Sequence, residues 1–527
     1  MEIVLMLTVL PPFKNEPLTD FSIPANRAAF LQAIEVVRSQ LGKSYPLHIG
    51  AAQIETGNWI KSLNPARPDE VVGMVAAGRK EDAEQAIETA ATAFKTWQYV
   101  NPQERARYLL RAAAEMRQRK HEFSAWMVFE IGKSWAEADA DTSEAIDFME
   151  YYARQALRLT HASDQLVIQP GEQLELQYIP LGVGAVIPPW NFPNAIMAGM
   201  SSAAVVAGNT VVLKPASITP IIAYKFCELL WRNGLPAGVL NYLPGPGGAI
   251  GDTLVDHPKT RFIAFTGSKE VGMRIFERAA KVHPGQIWLK RTVLEMGGKD
   301  AVVVDETADL EAAAEGIVSS AFGFQGQKCS AGSRAIIVKS VYEIVAQKVV
   351  EKTKKLLQDA PDKSADVHQG PVSDKNAMQK ILEYIEIGTQ EGKLLCGGKT
   401  KVTPEGGYFI EPTVFGDVER DARIAQEEIF GPVLALMPAK DFDDALEIAN
   451  GTEFGLTGAV YSRSRERLER ARREFHVGNL YFNRKCTGAM VGGHPFGGFN
   501  MSGTDSKAGG PDYLLLFTQA KSIAERL

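Results

Sequence analysis

From residue 79 onward apolar positions recur at helical spacing, with Ala83, Ala86, Ile87, Ala90, Phe94 and Trp97 on one face. The next helix announces its own start. Asn101 can cap, Pro102 suits the first turn, and Glu104 stands where a capping box places an acidic residue, ahead of Ala106, Leu109, Leu110 and Ala113. Between 178 and 300 the period changes. Short apolar runs (VGAVIP, TVVLKP, VLNYLPG, RFIAFTG, RTVLEMGG) alternate with helical runs such as PNAIMAGMSSAAVVAG and IIAYKFCELLWRNG, and Gly or Pro marks the strand ends. This alternation predicts βαβ units and a parallel sheet buried on both faces, with ligands beyond the carboxyl ends of its strands. A second α/β series runs from AVVVDE at 301 through RAIIVKS, GYFIEPTVF, PVLALMP and GAVYSRS.

Two segments depart from that pattern. QLVIQPGEQLELQYI, 165 to 179, reads as two alternating strands around a Pro-Gly turn, and YLLLFTQA near the C-terminus reads as another strand. Strands outside the main sheets carry unpaired edges, which proteins commonly cover with another chain. A homo-oligomer is therefore expected, a dimer or an assembly of dimers. No internal repeat or low-complexity tract is evident.

Composition narrows the function classes. At 527 residues the chain exceeds one hydrophobic core, and 45% apolar with 23% charged residues is ordinary for a soluble globular protein. A formal charge of −6 without clustered Lys and Arg argues against nucleic acid. No run reaches the roughly 18 consecutive apolar residues of a membrane span. The apolar opening MEIVLMLTVL lacks a basic lead and a small-residue cleavage site, so it is not read as a signal peptide; Met1 and Met6 both stay open as the start. Four cysteines without a CxxC pair exclude a disulfide scaffold, and the scattered histidines form no HxxxH pair, so no metal site is expected. A reducing, cytoplasmic setting follows.

Cys227, in an apolar helical run, and Cys396, after Leu394 and Leu395, have a ready explanation as packing. Cys329 does not, because GQKCSAGSR is glycine-rich and has neither period. Other segments carry chemistry and a bland alternative alike. IPPWNFP can present the Asn191 amide from a rigid loop, or be an Asx turn ahead of a helix. Glu295 in LEMGGKD ends a strand before two glycines, and alone reads as a solvated turn residue. Lys214 in NTVVLKPA can reach a ribose or face water. GPGGAIG, with Gly247, follows a strand as phosphate cradles do, without being a GxGxxG fingerprint.

In order and spacing, IPPWNFP, NTVVLKPA, GPGGAIG, FTGS, LEMGGK, GQKCSA and EEIFGPVL resemble the aldehyde dehydrogenase superfamily across nearly the whole chain after about residue 45. Within it, QKCSA, the extension NEPLTDFSIPANRAAF and the tail KCTGAMVGGHPFGGFNMSGTDSKAGGPDYL are similar to the 1-pyrroline-5-carboxylate dehydrogenases, which oxidise glutamate semialdehyde to glutamate in proline degradation. The resemblance implies an α/β fold with a Rossmann-type cofactor domain (46–160 and 182–294), an α/β catalytic domain (295–497), an N-terminal helical extension (1–45), and a β oligomerisation arm (161–181 and 498–527).

It also implies roles. Cys329 would be the nucleophile, forming a thiohemiacetal and then a thioester, both easier to traverse than direct oxidation. Asn191 and the Cys329 N–H would hold the oxyanion, and losing one such donor costs about 3 to 4 kcal/mol of barrier. Glu295 would be the base that activates the hydrolytic water. Ile187, Pro188, Trp190, Lys214, Ser217, Gly247, Phe265, Ser268, Glu428 and Phe430 would contact NAD. Ser217 stands where many NAD-dependent members carry a glutamate that repels a 2′-phosphate, so NADP is expected to be tolerated. Ser330 with the Gly488 and Ala489 amides would hold the substrate α-carboxylate. Phe192 and Phe496 would flank its aliphatic chain, or be ordinary core.

Three rivals stand beside this reading. A CoA-acylating relative needs no general base, which Glu295 opposes. A cysteine hydrolase needs a histidine that no motif supplies. A non-catalytic binding protein has no use for Cys329, Glu295 and Asn191 together. No segment of the chain is long enough to hold the proline dehydrogenase barrel of bifunctional relatives.

Overall fold

A computed structural model describes residues 10–527. The apolar opening, with the choice between Met1 and Met6, lies outside them. Two seven-stranded sheets organise the chain. In the first, Arg291–Glu295, Thr260–Thr266, Val183–Ile187, Thr210–Leu213 and Leu240–Tyr242 lie side by side and parallel, and Leu47–Ile49 and Ala52–Ile54 extend the edge antiparallel. In the second, Thr413–Gly416, Val433–Ala439, Arg334–Val338, Ala301–Val304, Thr457–Tyr461 and Asn479–Phe482 are parallel, with Lys393–Cys396 antiparallel at one edge. Both sheets realise the alternation read from the sequence, and the reason is burial on both faces. Val211, Val212 and Leu213 are all buried, as are Val302, Val303 and Val304, so neither strand needs a polar side.

Helix α1 (Pro24–Arg38) packs on α4 (Lys120–Ile131), α2 (Lys80–Trp97) packs directly on the first sheet, and α3 (Pro102–Gln118) and α5 (Trp135–Arg158) pack on α6 (Ala195–Val206), which follows the strand Val183–Ile187. Asn101 caps α3 as expected, its side chain accepting from Gln103 N at 2.9 Å. The expected capping box does not close, because the Glu104 carboxylate turns outward to Arg107 one turn on. Inside the first sheet, Gly184 lies flat under the Phe262 ring, and a Cβ there would run into the ring carbons.

The expected hairpin over 165–179 is corrected. Leu159–Gln165 is a 3-10 turn, and Val167 and Ile168 are exposed without a partner strand. Only Glu172–Pro180 is extended, and it pairs antiparallel with Thr518–Arg526 from the far end of the chain. A strand of nine residues satisfies its backbone through that distant partner, so the local Pro-Gly turn has nothing to close. The strand expected over YLLLFTQA likewise starts only at Thr518. Tyr513–Phe517 coils into a 3-10 turn that buries Tyr513, Leu514 and Phe517. Among the described residues no helix is long and apolar enough to cross a membrane.

Candidate active site

The two sheets deliver their strand ends to one place. Strand register sets Phe265 beside Ile187 and Thr266 beside Glu295, so three chain segments end at one level of the first sheet. From the second sheet's side comes the loop 323–333. Its approach is strained: Phe324 (φ 47°), Gln325 (φ 55°) and Gly326 (φ 68°) are consecutively left-handed. The strain is held in place by Gln325, whose Nε2 donates to Pro371 O at 2.7 Å, and by Gly326, where a Cβ would collide with Gly431 O.

Cys329 thereby stands where two cavities meet. The larger, about 670 Å³, is lined by Pro188, Trp190, Asn191, Phe265, Ser268, Glu428 and Phe430 among others. The smaller, about 110 Å³, is lined by Phe192, Glu295, Ser330, Gly488, Ala489 and Phe496, together with Glu144. Cys329 and Thr266 border both. All the residues expected on the substrate side share the smaller chamber. On the cofactor side, Ile187, Lys214, Ser217 and Gly247 stand outside the lining of the larger one. Lys214 is buried at the end of its strand, and burial lowers its ammonium to about 8. Ser217 is exposed beside Ala216, which does line the cleft. Gly247 lies in an exposed turn that leads into a helix of only five residues.

The chemistry of the junction is set by burial. Burial, then the nearby carboxylates of Asp300, Glu428 and Glu295, push the Cys329 thiol well above its ordinary value. The neutral thiol is thereby favoured over the thiolate. A carboxylate, Glu295, lines the same small chamber. Burial raises its carboxyl to about 7, against hydrogen bonds from the Ser506 hydroxyl and N–H. Those bonds occupy Oε1, while Oε2 is buried without a partner among the described residues. Asn191 is buried, and its Nδ2 donates to Gln327 O at 3.0 Å, leaving one amide hydrogen over. No acceptor within the described residues takes the Cys329 N–H.

The loop that carries Asn191 and Phe192 is fixed from α5. The buried pair Lys133–Asp141 (2.8 Å) stands under it: Asp141 Oδ1 accepts Ala195 N at 2.6 Å, and Lys133 Nζ lies 4.0 Å over the Phe192 ring. In the larger cleft, Glu428 Oε1 accepts Gly298 N at 2.9 Å, and burial raises its carboxyl. A Cβ at Gly297 would collide with that carboxylate and one at Gly298 with Cys329 O, so the glycine pair after Glu295 lets both Glu428 and the cysteine loop approach. Trp190 meets Phe430 edge to face at 5.4 Å.

Sequence reading missed Glu144 and Ser506. Glu144 completes a row with Glu137 and Asp141 along one face of α5, and that spacing of carboxylates on a largely buried helix is the available signal. Burial, then Asp141, push Glu144 up to about 8. Ser506 has no such signal, since it meets Glu295 only through the fold.

This arrangement of cysteine, carboxylate and carboxamide at a junction of two cavities agrees with the comparisons. The aldehyde dehydrogenase family model matches residues 52–523. The chain belongs to the aldehyde dehydrogenase family. It is 63% identical over 519 residues to a 1-pyrroline-5-carboxylate dehydrogenase of Geobacillus kaustophilus, covering 98% of this chain and 100% of that one. It is 59% identical over 514 residues to 1-pyrroline-5-carboxylate dehydrogenase 2 of Bacillus subtilis, covering 98% and 99%. The crystal structure of a Thermus 1-pyrroline-5-carboxylate dehydrogenase with bound NAD superimposes with a TM-score of 0.96 at 53% identity, covering 98% of this chain and 100% of that one. The α/β fold with its parallel sheets is that of this aldehyde dehydrogenase family.

Proposed function

We propose that the chain oxidises L-glutamate γ-semialdehyde, the open form of 1-pyrroline-5-carboxylate, to L-glutamate with NAD. One observation carries the substrate. In the small chamber that Glu295 also lines, neither the Gly488 N–H nor the Ala489 N–H has an acceptor among the described residues. Two unpaired amides in one chamber with Ser330 fit a carboxylate, and Glu144, reaching the same chamber from α5, fits the neighbouring α-ammonium. Phe192 and Phe496 supply apolar walls for the methylenes between. The names of the relatives from Geobacillus kaustophilus and Bacillus subtilis point the same way.

The larger cleft fits NAD. Its volume of about 670 Å³ suits a dinucleotide's nicotinamide half, and it opens onto the thiol. Glu428, a buried carboxylate facing the cleft, would accept from ribose hydroxyls; Lys214, Ser217, Ser268 and Gly247 would hold the adenosine end, and Phe265, Ile187, Pro188, Trp190 and Phe430 its apolar faces. When bound, NAD supplies a two-electron acceptor for the aldehyde hydrogen. The chain's residues do the rest: Cys329 adds to the carbonyl, Asn191 and the Cys329 N–H hold the oxyanion, and Glu295 takes a proton from the water that hydrolyses the thioester.

NADP use is part of the proposal, because no carboxylate stands at Ser217. Ser217→Glu should lower kcat/KM for NADP relative to NAD by about ten-fold or more, since like charges in a partly desolvated site cost on the order of a few kcal/mol. An unchanged ratio would place Ser217 away from the ribose.

The assembly we propose is a homo-oligomer built on dimers. It rests on the free edges of the ribbon formed by Glu172–Pro180 and Thr518–Arg526, and on an exposed apolar face with Phe276, Val282, Ile287 and Leu289. All four cysteines are free thiols, which suits the cytoplasm.

The deciding assay offers 1-pyrroline-5-carboxylate, succinate semialdehyde and acetaldehyde, each with NAD and NADP. Preference for either of the other aldehydes refutes the substrate. Ser330→Ala and Glu144→Gln test the groups proposed for the α-carboxylate and α-ammonium. A buried donor or carboxylate left unpaired costs about 1 to 3 kcal/mol, so each should lower the preference for glutamate semialdehyde over propionaldehyde by roughly ten-fold. Equal loss for both aldehydes would make these residues supports of Cys329 instead.

A further inference from the structure

The loop with Gly488 and Ala489 has no regular secondary structure, and its two ends are held by different parts of the chain. Upstream, buried Cys486 ties it to the catalytic loop: its N–H donates to Ser320 Oγ at 3.1 Å and its thiol to Ser330 O at 3.4 Å. Downstream, Gly492 N donates to Gly509 O at 2.8 Å, and a second tie, made directly to α5, comes from the N-terminal strap ahead of α1. Asn15 Nδ2 donates to Val491 O at 3.0 Å and to Asp147 Oδ2 at 2.8 Å, so one amide bridges the loop to α5. Asp147 Oδ1 also accepts Glu16 N at 2.7 Å, which fixes the strap itself. Phe13 adds a second contact. Its ring meets Tyr151 edge to face at 5.1 Å and lies 3.1 Å from where a Cβ on Gly492 (φ +78°) would stand.

We propose that Asn15 is a positioning residue for substrate selectivity, setting the distance between the Gly488–Ala489 amides on the loop and Glu144 on α5. Two short spacings along the chain support this. Val491 lies two residues beyond Ala489, and Asp147 lies three residues beyond Glu144, close to one helical turn. One carboxamide thus joins the two walls that would grip the two charges of an amino acid. An aldehyde without those charges makes no use of the spacing, so the effect is confined to the charged substrate. The inference rests on the reading of Ser330, Gly488, Ala489 and Glu144 as the α-carboxylate and α-ammonium site.

Kinetics of Asn15→Ala with glutamate semialdehyde and with propionaldehyde test it. A misplacement of about 1 Å costs up to about a hundred-fold. KM for glutamate semialdehyde should rise about ten-fold with kcat within about two-fold, and propionaldehyde kinetics should hold. Phe13→Leu keeps the amide and shortens only the ring over Gly492. It should raise the same KM about two- to three-fold, and it carries the test if Asn15→Ala does not fold. Equal loss for both aldehydes, or an unchanged KM for glutamate semialdehyde, overturns the inference. Ser330→Ala, measured beside it, separates the causes. A KM rise in Ser330→Ala without one in Asn15→Ala leaves the carboxylate reading standing and removes only the strap's part, whereas no rise in Ser330→Ala removes both.

Discussion

Cys329→Ala should end NADH formation from every aldehyde, with a loss of roughly ten thousand-fold or more, while NAD still binds with nearly unaltered affinity. The first half follows from position. Among the described residues Cys329 is the one thiol lining the two cavities, and Cys486 is buried with its thiol directed at Ser330 O. The second half follows from separation. The groups proposed to hold the cofactor lie on the strand ends at Ile187, Leu213 and Thr266 and on the segment around Glu428, and removing one sulfur disturbs none of them. The thiol's raised pKa gives the experiment a further edge. Because burial and three carboxylates hold it neutral, alkylation of the free enzyme should be slow at pH 7 and accelerate steeply at alkaline pH, and the fast phase should vanish in Cys329→Ala. NAD affinity is read by fluorescence titration and turnover by NADH absorbance. Residual turnover near that of the unaltered enzyme would remove Cys329 from the mechanism.

Much of this site was legible in the chain because its parts sit at strand ends and loops, where residue type is not dictated by packing. Glu295 closes a strand whose preceding residues, Val293 and Leu294, are buried, and Cys329 interrupts a segment with no period. The parallel sheets were legible for the complementary reason, since strands such as Val211–Leu213 are apolar on both faces. What escaped reading is what distant chain supplies. Ser506 reaches Glu295 across 211 residues and Asn15 reaches Val491 across 476. The same holds for the ribbon, where Glu172–Pro180 looks locally like half of a hairpin and pairs with the C-terminal strand instead. Glu104 failed as a capping residue on a smaller scale, because an arginine three residues on competes for it.

Glu295→Gln should allow one rapid turnover of NADH and then stall. In the proposed mechanism the carboxylate takes a proton from water, and that step follows the oxidation, so the first product forms before the missing base is needed. Its surroundings suit a general base, because Oε1 is occupied by Ser506, Oε2 has no partner among the described residues, and burial raises the carboxyl to about 7. The raised value fixes the sign of the pH dependence. Above about 7 the group is ionised and can accept a proton; below it the acid form accumulates and the usable fraction falls about ten-fold per pH unit. Steady-state turnover of the unaltered enzyme should therefore rise through pH 7 and level off, while the burst in Glu295→Gln loses that limb of the profile. Glutamine keeps the shape and the bond to Ser506, so the fold is little disturbed, and the expected loss in steady state is on the order of a hundred- to ten thousand-fold, the range for a positioned general base. Rapid-mixing measurement of NADH with glutamate semialdehyde separates burst from steady state. If both fall together, Glu295 acts before the thioester forms, as the base that takes the Cys329 proton, and deprotonation of that thiol becomes the step that sets the pH profile.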